Sequence, residues 1–173
     1  MKKYFLALLW CAVSATTAAA GYVFYNKVVG EWTVTCWRPM SGDGKPCRLS
    51  APPELLAPLT PQNMIVVTEV ADDSYQVSLE IRDAVSAWLP AFVRVDGNQA
   101  HETGVAGGVA AWSGEQAVSI LREMNEGQHL VFRIHTGPEG LPRDVHVALG
   151  YSFTEAFTAY RQTLRAHKMI KAR

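Results

Sequence analysis

Tyr75, Val77, Leu79 and Ile81 alternate with Gln76, Ser78, Glu80 and Arg82. A period of two puts the first set on one side of an extended strand and the second on the other. The apolar set is expected to face a core and the polar set water, which commits this part of the chain to a sheet with one wet face. Antiparallel pairing suits that pattern, since antiparallel sheets leave one face solvated more readily than parallel ones.

Other stretches extend the pattern. Met64 to Val70 reads as a strand closed by the turn Asp72-Asp73-Ser74, and Ala91 to Val95 as a short strand ending at Asp96-Gly97-Asn98. From His129 to His135, Leu130, Phe132 and Ile134 take the core parity, and Val145 to Leu149 follows as a partner strand after a loop over 137–143. Four prolines between Ser50 and Pro61 argue against a helix or central strand there. In HETGVAGGVAAW the glycines indicate close packing or a turn, because no phosphate-loop lysine accompanies them.

Two segments read as helices. Over 113–126, Ala117, Ile120, Leu121 and Met124 form one apolar side, Ser113 and Gln116 are spaced for a capping box, and Gly127 provides a stop. From Ser152 onward, Phe153, Phe157, Tyr160 and Leu164 recur at helical spacing, with Ser152 and Glu155 placed as a second capping box. Arg161, Arg165, His167, Lys168, Lys171 and Arg173 bring positive charge to the carboxyl end, where it complements the helix dipole; a basic tail is expected to follow the packed helix.

The compartment follows from the amino terminus. Lys2 and Lys3 precede an apolar run from Tyr4 to Val13 and then small residues ending at Ala18, Ala19 and Ala20. This is the order of a secretory signal peptide, with cleavage expected after Ala20. The alternative is an uncleaved anchor over 4–25, since Gly21 to Tyr25 carries the run to about the 20 residues that cross a bilayer. Both readings put the rest of the chain, a single β-rich domain over 21–173, outside the cytoplasm. Cleavage removes Lys2, Lys3 and Cys11, leaving 153 residues with 14 Lys and Arg against 16 Asp and Glu. Such a balance gives no basis for nucleic-acid binding.

Cys36 and Cys47 then flank a loop rich in Gly, Pro and Asp, and the segments on either side can set them opposite each other across a long hairpin. In an oxidising compartment the simplest reading is a structural disulfide. A redox pair would favour the short CxxC spacing and a helix start, and zinc would need ligands beyond these two.

Catalytic motifs are missing: there is no G-x-S-x-G elbow, HExxH or Walker loop. The polar parity of the strand at 129–135 carries His129, Arg133 and His135, and His146 can join them from the next strand. A solvated polar face is the plain reading of these four, a polar binding surface the functional one, and a metal or catalytic cluster the third. The residues therefore suggest a noncatalytic protein with no catalytic, cofactor or metal set.

Several segments together resemble the invasion-associated locus B family of bacterial envelope proteins. The likeness is carried by GEWTVTCW with CRLS after a loop, then FVRVDG, EQAVSILREMNEGQHLVFRI and VALGYSFTEAFTAY, in that order over about residues 29–160. It implies an exported β-rich domain with a terminal helix and an envelope or host-interaction role, and it carries no catalytic set. The family often has further cysteines near the position of TGVAGGVAAW, where this sequence has none.

The expected fold is mainly β, an antiparallel sandwich-like domain with two peripheral helices, one of them C-terminal. The expected role is a periplasmic or outer-envelope binding or structural protein with an envelope protein partner and no cofactor. A membrane-anchored accessory component of a secretion or conjugation apparatus is the first alternative, and a small secreted hydrolase with a His-containing site the second.

Overall fold

The computed structural model describes residues 22–38, 47–51, 64–71, 73–81 and 85–171. The expected signal segment 1–20, the loop between the cysteines at 39–46, most of the proline-rich stretch, Arg82 and Arg173 lie outside the described residues.

Alternation fixes the first sheet. Trp32, Val34 and Cys36 of β2 (Trp32–Arg38) are buried on one parity, as are Cys47 and Leu49 of β3 (Cys47–Ser50). The two strands pair antiparallel with Cys36 directly opposite Cys47, and the disulfide bridges them with the Cα atoms 4.0 Å apart. On the far side of β2 lies β1 (Tyr22–Val29). Beyond β3 come β4 (Met64–Ala71) and β5 (Ser74–Glu80), then β9 (Val109–Ser113) and β8 (Val105–Ala106), giving seven strands in the order β1-β2-β3-β4-β5-β9-β8.

A second, four-stranded sheet has the order β11-β10-β6-β7, formed by β6 (Ala91–Val95), β7 (His101–Thr103), β10 (His129–Thr136) and β11 (Leu141–Ala148). Pairing in both sheets is antiparallel. Trp112 from the first sheet meets Phe132 from the second with ring centroids 5.8 Å apart, and both are fully buried. Side chains of this size each contribute about 1.5–3 kcal/mol when removed from water.

Helix α1 (Gly114–Glu126) packs on β5, β6 and β9 through Ala117, Ile120, Leu121 and Met124. Helix α2 (Gly150–Lys171) lies against β1, β2 and β3. Phe153 meets Trp32 edge to face at 4.9 Å, and Phe157 meets Tyr75 at 5.5 Å. The expected mainly β, two-helix sandwich is thus present.

Three local expectations need correction. Neither capping box forms: Ser113 occupies the N-cap position without a side-chain cap bond, while the Gln116 amide donates to the Glu102 carbonyl at 3.3 Å. Ser152 lies inside α2, donating to the Leu149 carbonyl at 3.1 Å. Ser78, expected to meet water, is buried and its hydroxyl bonds the Val66 carbonyl; with Val66 also buried, the outer face is closed at this point. The loop expected at 137–143 shrinks to Gly137–Gly140, because β11 begins at Leu141. The glycine-rich stretch supplies the expected turn at Gly107–Gly108, with φ of +58° and +77° as a primed hairpin turn requires, set among three short strands. The basic residues from Arg161 to Lys171 lie toward the carboxyl end of α2, as expected.

Candidate binding site

The four polar residues singled out from sequence do share a face. In the β10–β11 pairing His129 stands opposite Ala148, Val131 opposite His146, Arg133 opposite Asp144 and His135 opposite Pro142. His146 is therefore the diagonal neighbour of both His129 and Arg133 on the outer side of the four-stranded sheet. Beyond β10, Arg94 of β6 stands opposite Val131 and Phe92 opposite Arg133. Phe92, Arg94, Ala100, Val131, Arg133 and Asp144 line a shallow cavity of about 180 Å³.

Pairing within the face limits what it can attract. Arg133 and Asp144 form a two-pronged bridge, Nε to Oδ1 and Nη2 to Oδ2, both at 2.7 Å. The hydrogen bonds hold the Asp144 carboxyl below its usual range and raise the guanidinium further. Asp144 escaped the sequence reading because it fell in the loop assigned to 137–143 and its neighbour. His135 is occupied too, donating from Nδ1 to the Pro90 carbonyl at 3.1 Å. His129 and His146 stay exposed. No group of three or more His, Cys, Asp or Glu side chains is arranged to hold a metal among the described residues.

A larger concavity, not anticipated from sequence, lies where α1, α2 and the β4–β5 turn meet. It measures about 550 Å³ and is lined by Asp73, Tyr75, Val118, Leu121, Arg122, Asn125, Thr154, Phe157, Thr158, Arg161, Gln162 and Arg165. Hollows of about 420 Å³ toward the start of α1 and about 300 Å³ toward the end of α2 adjoin it, and Tyr75 borders all three. Burial raises the Tyr75 hydroxyl's pKa against the opposing pull of the Arg161 charge. The sequence signal was available: Arg161 and Arg165 lie one turn apart on α2, and Arg122 lies on α1. What could not be read was the crossing of the helices that puts them around one tyrosine.

Of the four tryptophans in the domain, Trp32 and Trp112 are core, Trp37 is half-buried under the Arg48 guanidinium at 5.6 Å, and Trp88 is 77% exposed. An unanticipated polar pair, His101 and Glu123 at 3.1 Å, ties β7 to α1.

These features define a disulfide-bonded, two-sheet antiparallel domain closed by a C-terminal helix. Its fold is similar to the crystal structure of invasion associated protein B from Bartonella henselae, with a TM-score of 0.62 and 18% identity, over 82% of this chain and 99% of that one. The resemblance carried by the sequence motifs is thus met at the level of the fold. No protein-family model and no curated protein sequence matches the chain.

Proposed function

We propose that the chain is an exported, noncatalytic binding or structural protein of the bacterial envelope. The observation that carries this reading is the Cys36–Cys47 disulfide, which joins directly opposed residues of adjacent strands in the core. Disulfides of this kind persist outside the reducing cytoplasm. The strand boundaries support a cleaved leader: β1 begins at Tyr22, so cleavage after Ala20 leaves the sheet whole. Retention as an anchor would leave residues 4–21 for the bilayer, because Tyr22 to Tyr25 belong to β1. The likeness to a protein named for its association with invasion extends the reading to host interaction as its finer form.

The noncatalytic part is supported by the commitments of the polar face, where Arg133 is held by Asp144 and His135 by Pro90. Fusing alkaline phosphatase to the carboxyl end of the full chain tests the export claim, since that reporter folds only where disulfides form. An active fusion is expected; an inactive fusion retained in the cytoplasm would overturn the proposal.

A further inference from the structure

We propose that the groove between α1 and α2 binds an acidic peptide segment of a partner protein, with apolar side chains seated on Tyr75 and carboxylates meeting Arg122, Arg161 and Arg165. The inference rests on the reading of the chain as a binding module and names the chemistry of its partner.

Three observations support it. First, the charge of the central hollow is one-sided: three arginines line it against the single carboxylate of Asp73, while the flanking hollows add Glu115 at one end and the Glu69–Lys168 pair at the other. None of the three forms an ion pair among the described residues, whereas Lys168 nearby is matched by Glu69 at 3.1 Å. Second, the floor is apolar and aromatic, made by Leu121, Phe157 and the ring of Tyr75, and Val118 on its α1 side is 57% exposed. An exposed apolar side chain beside unpaired guanidinium groups suits a ligand that alternates the two characters. Third, the site is elongated. The hollows run from Gly114 at the start of α1 to Lys168 near the end of α2. Arg161 and Arg165 are spaced about 6 Å along the axis of α2 at 1.5 Å per residue, with Arg122 on the other helix. Cations spread along a trough match successive carboxylates of a chain better than one compact phosphate, which calls for converging donors.

The polar face of the four-stranded sheet makes a weaker site for the same ligand. Its Arg133 is neutralised by Asp144, and its cavity is about 180 Å³ against about 550 Å³.

The test uses protein purified from the envelope of cells expressing the full chain, and a short fluorescein-labelled peptide alternating Glu with Leu and Tyr. Fluorescence anisotropy is expected to show saturable binding that weakens with added salt. Replacing each Glu of the peptide by Gln, or combining R161E with R165E in the protein, is expected to weaken it at least about tenfold. R143E, at an exposed position of β11 that lines none of the three hollows, is the control expected to leave affinity unchanged, and circular dichroism confirms that the variants fold.

Absence of binding, or equal binding by R161E/R165E, would overturn the proposal. So would Arg161-dependent binding of phosphatidylglycerol vesicles without peptide binding, which would assign the groove to a lipid surface. Self-association lost in R161E/R165E, again without peptide binding, would assign it to a second copy. Any of these results leaves the export reading to the alkaline phosphatase fusion, so the two claims fail separately.

Discussion

The hydroxyl of Tyr160 accepts a hydrogen bond from the backbone N–H of Glu69 at 2.9 Å. The same hydroxyl reaches the carbonyl of Cys47 at 3.5 Å, and its ring is fully buried. One side chain of α2 thereby joins β4 to the half-cystine of β3, coupling the terminal helix to the disulfide end of the sheet. Tyr160→Phe keeps the ring and removes the acceptor, leaving the Glu69 amide unpartnered. Such a loss costs about 1–3 kcal/mol, and urea denaturation followed by circular dichroism should show a lower midpoint with unchanged slope.

Burial raises the Tyr160 hydroxyl far above the usual tyrosine range and raises Tyr75 in the same direction. With folded values above unfolded ones, these groups lend stability that is fully present below the unfolded tyrosine pKa of about 10 and is lost as pH rises through the folded values. Stability should therefore fall on the alkaline side of about pH 10. Tyr160→Phe, though less stable at neutral pH, should show a shallower alkaline decline in the same denaturation assay.

Replacing Cys36 and Cys47 together by serine opens a cross-link between residues 11 apart in sequence. A loop of that size contributes about 2–4 kcal/mol, chiefly by restricting the unfolded chain. Reductant should shift the denaturation midpoint of the native protein toward that of the double variant and leave the variant itself unmoved.

Gly108 has φ of +77°, and a Cβ there would lie 2.6 Å from the Ile81 carbonyl oxygen. Its own carbonyl accepts the Ile81 N–H at 2.7 Å, so the two backbones are held together and cannot easily separate. Gly108→Ala should destabilise by more than about 1 kcal/mol. Gly97→Ala, with open space around the added methyl group, is the control expected to change the thermal midpoint little.

Arg133 holds the Asp144 carboxyl low, so their contact adds stability above the unfolded aspartate pKa of about 3.9 that is lost as pH falls through the folded value. A carboxyl-detected NMR titration of Arg133→Gln should move the Asp144 midpoint upward. Because the pair is largely solvent-exposed, added salt should narrow the difference between the two proteins.

Long-range period was legible in the sequence, and local chemistry much less so. Val77 and Leu79, Leu130 and Phe132, and Ile120 and Met124 announced their faces because each segment keeps one period over several residues. The glycine-rich run hid β7, β8 and β9 because two of those strands are only two and three residues long, too short to establish alternation. The capping boxes failed through competition: Gln116 found the Glu102 carbonyl on β7, and α2 had already begun at Gly150. At the polar face the four named residues were placed on one side, while the register that gives Arg133 to Asp144 depends on a turn four residues long at 137–140. The arginine-lined groove depends on helix crossing, a property no single segment encodes.

The central proposal is export of a domain stapled between Cys36 and Cys47. Intact-mass analysis of the protein recovered from the native cell envelope, alkylated with and without prior reduction, tests that most directly. The predicted mass is that of residues 21–173, with Cys36 and Cys47 alkylated only after reduction. A chain that retains residues 1–20, or one whose two cysteines are alkylated without reduction, would contradict it.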